Sequence, residues 1–310
     1  MPIPERDRSV SSVVGAVEVP QVKIALTTVT TRSIAPEISN LLVLTDRQSE
    51  WLIDTVIRPV LIPIALLAAL NPVSALVGGA PEIPSPKTQP EVMLVGSKGN
   101  FCTGTAIARD LVLTAAHCIA TGVDYKLVEL GDDSKPLFKA IVSIARHPQF
   151  SLKTMLAHRA TADVALLKLQ VPHAGSVAPL MPPRGRVAVG ERFIVRGYGA
   201  SIRGDGHSAG RLREAALAAF GQPGNLQLRL VDPANDSGKR PGLGGCTGDS
   251  GAPVYQKMSS GYLGLYGVVS WSTASNFEEG CGGVTGVTPI ELYHGWIEEQ
   301  GRRMGSTIGR

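Results

Sequence analysis

Aromatic residues make up only 5% of the chain, against 35 glycines in 310 residues, so the composition is loop-rich and unlike a helical bundle or a coiled coil. Charge is close to balanced, with a formal net charge of +4, and Lys and Arg gather into no stripe interleaved with aromatics. Nucleic-acid binding is excluded on that ground, leaving weak attraction to acidic surfaces. No Walker loop, GxGxxG or HExxH string occurs and no internal repeat, which removes phosphate-cradling loops, the zincin helix and solenoid architectures. Cysteine is scarce, with four in all and none in the C-x-x-C spacing of a zinc or redox centre. No metal and no cofactor are therefore expected. The main apolar run, residues 60–70, falls short of the ~20 apolar residues of a membrane span.

What is present is a pair of long motifs. LTAAHC at 113–118 places His117 beside Cys118, and GCTGDSGAPV at 245–254 rings Ser250 with glycines. Serine is a weak nucleophile at neutral pH and needs a proton acceptor within hydrogen-bond reach. Imidazole serves because its ordinary pKa lies near 6.5, and a buried carboxylate can fix its tautomer. Asp163 supplies that carboxylate: it heads the apolar, strand-like run DVALLKL at 163–169, which would bury it against the histidine. The chain order is His117, Asp163, Ser250.

These residues resemble the trypsin/chymotrypsin-type serine proteases, whose triad runs in the same order. The likeness extends through FCTG at 101–104, RHP at 146–148, VRGYG at 195–199, LRE at 212–214, VSWS at 269–272 and GVTG at 283–286, and covers roughly residues 76–310. It implies a serine endopeptidase acting on protein or peptide substrates through an acyl-enzyme, with the backbone amides of Gly248 and Ser250 as the oxyanion hole. It implies disulfides Cys102–Cys118 and Cys246–Cys281, which require an oxidising compartment. It sets Ser270 against Asp163, and makes His147 structural. His158, His173, His207 and His294 lack the pattern of a base and are expected at the surface or behind the site. Two other readings use the same scaffold: a catalytically silent binding protein and an esterase.

The resemblance also marks a primary substrate pocket, with Gly244 at its base where trypsin-like members carry an aspartate, and with Ser270, Trp271, Ser272 and Gly283 around it. Gly283 is expected to leave the back of the pocket open, and Ser272, in place of a glycine, to narrow its entrance. Cleavage after uncharged, small to medium residues follows, unless Glu278 or Glu279 folds inward to restore a basic preference.

Arg58, the apolar run at 60–70 and small residues ending at Ala75 have the layout of a secretory signal. The organisation expected is thus a leader at 1–55, a signal peptide at 56–75 and a peptidase domain at 76–310. A monomer is expected, secreted or periplasmic, and held at a membrane only if the signal segment stays uncleaved. Residues 1–55 read either as a start codon assigned too far upstream or as a disordered leader. Cleavage after Ala75 would expose Leu76-Val77-Gly78-Gly79, similar to the start of activated family members, whose freed ammonium pairs with the aspartate before the nucleophile, here Asp249. Removal of the signal and activation would then be one cut.

Turn-separated strand-like runs at 91–95, 111–114, 140–144, 192–195, 226–230 and 262–266 predict an antiparallel all-β barrel or sandwich. One convincing helix is predicted at 290–304, with Leu292, Trp296 and Ile297 on one face. The resemblance then specifies two antiparallel six-stranded β-barrels around an active-site cleft, closed by that C-terminal helix. It puts His117 and Asp163 on the first barrel and Ser250 on the second. The string Arg203-Gly204-Asp205 is read as a chance match to an adhesion motif. Glu129, Asp132 and Asp133 are read as a solvated turn, not a calcium loop.

Overall fold

The computed structural model describes residues 76–83, 86–130, 135–222, 224–235 and 238–308. The segments 1–55 and 56–75, and with them Ala75, Asp132 and Asp133, lie outside the described residues.

Six strands close the first barrel: β1 (Glu91–Gly96), β2 (Phe101–Ala108), β3 (Leu111–Thr114), β4 (Tyr125–Leu130), β5 (Pro136–Arg146) and β6 (Ala165–Leu169), in the spatial order β1-β2-β3-β6-β5-β4. The second uses β7 (Arg192–Gly197), β8 (Arg213–Gly221), β9 (Leu228–Val231), β10 (Pro253–Lys257), β11 (Leu263–Ser272) and β12 (Thr285–Pro289). Its order, β7-β8-β9-β12-β11-β10, repeats that of the first barrel although the sequence shows no repeat. All pairings are antiparallel, and closure leaves neither barrel an open edge.

Strands β3 and β6 read as unbroken apolar runs because both their faces are buried. Val112, Leu167 and Leu169 point into the first barrel with Val92, Leu94 and Leu127. Their neighbours Leu111, Leu113 and Leu166 point outward and pack with Tyr255, Leu265 and Val268 of the second barrel. The contact between barrels is therefore core, and truncating one of these leucines to alanine would cost about 2–5 kcal/mol. The second barrel is filled by Phe193, Val195, Leu217, Leu228, Leu230, Val254 and Val269, among others.

The predicted strands fall where expected, but at two of them the ends differ. Leu226 and Tyr262 precede β9 and β11 as exposed residues, because the turns that enter those strands take them up. The C-terminal helix is shorter than the periodicity predicts. Glu291–Tyr293 is a 3-10 turn and α-helix begins only at His294, running His294–Arg303; a separate short helix, α1 (Leu152–Leu156), occurs earlier, so the C-terminal one is α2. The tighter turn rotates Leu292 away from Trp296 and Ile297, leaving it 52% exposed, while Ile297 is buried at the seam between the barrels. None of the described helices is long and apolar enough to cross a membrane.

Polar contacts also join the barrels. The Thr103 hydroxyl donates to the Gly248 carbonyl at 2.9 Å and accepts the Tyr198 amide at 3.1 Å, and the Thr103 amide donates to the Ser250 carbonyl at 2.9 Å. Further along the interface the Tyr255 hydroxyl donates to the buried Glu91 carboxyl at 2.7 Å, and desolvation raises the pKa of that carboxyl.

Candidate active site

A 3-10 turn, Ala116–Cys118, follows β3 and turns His117 out of the first barrel. The disulfide Cys102–Cys118 ties this turn back to β2. Asp163 lies two residues before β6, the strand paired with β3, so barrel register brings residues 46 apart into contact. The carboxyl is completely buried and meets three donors: the His117 backbone amide at 2.9 Å, His117 Nδ1 at 2.7 Å and the Ser270 hydroxyl at 2.5 Å. A carboxylate offers only acceptors, so its contact with His117 Nδ1 calls for an N–H on that nitrogen, the tautomer that a general base at Nε2 requires.

Ser250 stands on the loop before β10, which Cys246–Cys281 fastens to the segment leading into β12. Its carbonyl takes the Thr103 amide and lies 3.6 Å from the Cys118 sulfur. Gly251 follows with φ +77°, and a Cβ there would fall 2.1 Å from the Thr114 hydroxyl and 2.8 Å from the Ala115 nitrogen. Only glycine lets the Ser250 loop come this close to the strand end that leads to His117.

Within the loop, the Asp249, Gly251 and Ala252 amides donate to the Cys246, Val269 and Asp249 carbonyls. Among the described residues no acceptor takes the amides of Gly248 and Ser250. Gly248 has φ +94° and is pressed against the Phe101 ring, which would overlap any Cβ. Asp249 points the other way, fully buried, its oxygens accepting the Gly199 and Cys246 amides at 2.9 Å each. Burial pushes its carboxyl up to about 7, against those bonds and the charge of Arg213.

Leu76 is buried in the second-barrel core, and Val77 forms a β-bridge with Gly244. Gly78 sits so close to Gly242 that a Cβ would overlap its carbonyl at 2.4 Å. No Leu76–Asp249 ion pair exists here, since Leu76 remains in peptide linkage to Ala75.

Gly244 and Gly245 are buried, and Gly245 donates its amide to the Thr285 hydroxyl at 2.9 Å. The space next to Gly244 is bounded by Gly282 and by that same hydroxyl, 3.1 and 3.3 Å from where a Cβ would stand. Thr285 is thus a neutral polar wall that the sequence pattern did not mark, since its only signal was a place two residues beyond Gly283. Gly283 differs from the open back wall expected of it. A Cβ there would meet the Ala274 carbonyl oxygen at 2.0 Å, so glycine is required by the close passage of the 273–274 backbone. Ser272 turns its hydroxyl to the Gly280 carbonyl at 3.0 Å. Glu278 and Glu279 are exposed and do not fold inward. Trp271 packs on the Gly286 backbone, with His158 stacked on it at 4.7 Å between ring centroids.

The remaining candidates lie elsewhere. His147 wedges edge-on between Tyr293 and Trp296, and His207 is exposed. His173 corrects the expectation of a surface position: it is buried, bonded to Glu129 at 2.5 Å, with Lys139 on the other Glu129 oxygen at 2.7 Å. Glu129 therefore belongs to an ion-pair cluster on the first barrel. Arg203 lies against the Glu279 carbonyl and Asp205 caps a 3-10 turn, so neither stands free as an adhesion motif would require. All four cysteines are paired, so the cluster of Cys102, Cys118 and His117 is not a metal site.

Residues 79–297 match the family described as Trypsin. Among relatives, Trypsin II-P29 of Gallus gallus is 28% identical over 256 residues, covering 76% of this chain and 96% of its own length. Trypsin 5G1 of Aedes aegypti is 29% identical over 220 residues, 66% of this chain and 77% of that protein. The vitellin-degrading protease of Bombyx mori is 27% identical over 228 residues, 68% and 79% respectively.

Proposed function

This chain belongs to the trypsin family of serine proteases, and on that premise we propose that it is a secreted endopeptidase whose nucleophile, base and orienting acid are Ser250, His117 and Asp163. The observation that carries this reading is the buried Asp163 carboxyl holding both the backbone amide and Nδ1 of His117, on a turn against which the Ser250 loop is packed. His117 Nε2 takes the Ser250 proton as Oγ attacks the peptide carbonyl. The oxygen of the tetrahedral intermediate gains negative charge where the Gly248 and Ser250 amides have no other acceptor among the described residues, a donor pair of which each is worth about 2.7–4 kcal/mol in the transition state. His117 then returns the proton to the leaving amine, and water hydrolyses the acyl-enzyme by the same route in reverse.

Glycines at 244 and 245 and the neutral Thr285 hydroxyl support cleavage after uncharged, small to medium residues. Two disulfides support residence in an oxidising space outside the cytoplasm, secreted or periplasmic. The docking of residues 76–80 onto the second barrel supports activation by a cut before Leu76, whose ammonium would then pair with Asp249. N-terminal sequencing of the exported protein tests that cut, and a start anywhere but Leu76 removes it. Hydrolysis of a protein substrate by wild type and by folded Ser250→Ala tests the triad; equal rates would end the assignment.

A further inference from the structure

Three residues stand in one row on the outer face of the second barrel. Trp271 of β11 is opposite Gly286 of β12, and Gly286 is opposite Arg229 of β9, so all three face the same way, while Leu228 and Leu230 on either side of Arg229 fill the core. Because residue 286 has no side chain, the indole lies across it: a Cβ there would fall 2.1 Å from ring atom Cε2. The Arg229 guanidinium then stands over the ring, its Cζ 5.9 Å from the centroid. A segment of the first barrel reaches the same ring. Helix α1 buries Met155 against Trp271, Val231 and Val284, and the chain leaving α1 turns at His158, φ +51°, to stack that imidazole on the indole at 4.7 Å. A left-handed φ is uncommon outside glycine, and such conformations gather at functional sites.

The chemistry around the ring is one-sided. Half-buried Arg229 uses only its Nε, on Gln227 Oε1 at 3.3 Å, and its Nη groups, like both ring nitrogens of His158, have no hydrogen-bond partner among the described residues. Trp271 Nε1 is buried without an acceptor. Residues 149–162 and 215–231 supply Lys153, His158, Arg159 and Arg229 but no carboxylate, and Asp232, next along, already holds the Ala234 and Leu243 amides at 2.8 and 2.9 Å. The exposed Glu278 and Glu279 pair with neither Arg229 nor His158. A cation at 5.9 Å is near the outer limit of attraction to an indole face, so packing alone leaves a guanidinium without an anion unexplained. The ring also adjoins the route into the pocket. Ser270, just before Trp271, bonds Asp163, and Ser272, just after it, has its Cβ 3.6 Å from where a Cβ on Gly245 would stand.

We propose that Arg229, with His158 on the same indole as a further donor, is a substrate-binding residue that receives a carboxylate side chain, so that the enzyme prefers protein chains carrying Asp or Glu a few positions before the cleaved bond. The inference rests on the endopeptidase reading above. The residue held in the pocket is the last before that bond, and the chain leading to it passes Ser272 and Trp271. A planar guanidinium with both Nη groups free can take the two oxygens of one carboxylate, which a neutral amide cannot match.

The test uses the enzyme as it is exported, with pairs of peptides built on a sequence it cuts that differ only in Glu or Gln at the second, third or fourth position before the cleaved bond. The two side chains match in size and differ in charge. At one of these positions kcat/KM is expected to be about tenfold higher for Glu, the scale of one hydrogen-bonded charge. Arg229→Gln is expected to abolish that preference, and Arg229→Glu to reverse it, with Lys then favoured over Gln at the same position. A merely structural Arg229 would change the rates of all peptides alike and leave the ratios where they were. Equal cutting of Glu and Gln peptides by wild type at all three positions, or a Glu preference that survives in folded Arg229→Gln, overturns the proposal. Should Arg229→Gln lose its cooperative melting transition, Arg229→Met, which keeps an unbranched stem over Trp271, takes its place and the same ratios decide. Failure to cut any peptide, or undiminished cutting by Ser250→Ala, would sink the endopeptidase or triad reading instead, a failure seen in absolute rates and not in ratios.

Discussion

Asp163 grips His117 at two points, the main-chain amide at 2.9 Å and the ring Nδ1 at 2.7 Å, so one carboxyl fixes both where the imidazole stands and which nitrogen carries its proton. Asp163→Asn keeps the shape but offers an NH₂ group where Nδ1 needs an acceptor, which drives the proton to Nε2. Turnover should fall by about 10⁴, as the same change does in other serine proteases, with folding retained. Steady-state kcat beside a melting curve checks it; a loss below tenfold in a folded variant would show that His117 does not depend on this tautomer.

Gly251→Ala should be costly for two reasons. The residue has φ +77°, and the added methyl would meet the Thr114 hydroxyl at 2.1 Å and the Thr103 carbonyl at 2.4 Å. Left-handed strain and forced displacement together are worth about 2–5 kcal/mol, and moving the loop away from β3 separates Ser250 from His117. Urea denaturation should show the lost stability, with activity falling further than stability explains. A variant as stable and active as wild type would contradict the close approach.

Burial pushes the Asp249 carboxyl from 3.8 up to about 7, while the Cys246 and Gly199 amides and Arg213 pull it down. A folded-state pKa above the unfolded one gives a contribution that is full below the unfolded value and lost as pH rises through the folded one. In the uncut chain, the stability of Asp249→Asn relative to wild type should therefore increase from about pH 4 to about pH 7 and level off above. Denaturation midpoints of both proteins from about pH 4 to about pH 8 measure it. Parallel curves would mean that Asp249 is not held at a raised value.

Gly244→Asp should turn the preference of the primary pocket toward Lys and Arg. Its Cβ would stand 3.1 Å from the Gly282 Cα and 3.3 Å from the Thr285 hydroxyl, so the neighbours must yield by a few tenths of an ångström, and the hydroxyl can bond the new carboxylate. A peptide-library digest before and after the change reads the outcome. Wild-type cleavage chiefly after basic residues would overturn the assignment of Gly244.

Local patterning carried much of the architecture and the chemistry. Apolar runs separated by turns marked strands such as β1, β3 and β7 because the residues that form a strand are neighbours in the chain. LTAAHC and GDSG marked His117 and Ser250 as the candidate base and nucleophile because tight turns need small residues beside such a group. The same reasoning missed where patterns depend on a distant surface. Leu292 fits a helical stripe by spacing, yet the 3-10 turn leaves it in solvent. His173 looks like any isolated histidine until Glu129, 44 residues away, meets it on the first barrel.

Side-chain chemistry and short-range spacing were enough to single out the candidate reacting groups and roughly which segments are extended. That both barrels repeat one strand order, that Thr285 and not an open wall adjoins Gly244, and that Arg213 and Asp249 share the backbone of Gly199 came from packing in three dimensions. Those outcomes depend on desolvation and electric fields, which are set by what lies nearby in space and are not encoded in the order of neighbouring residues.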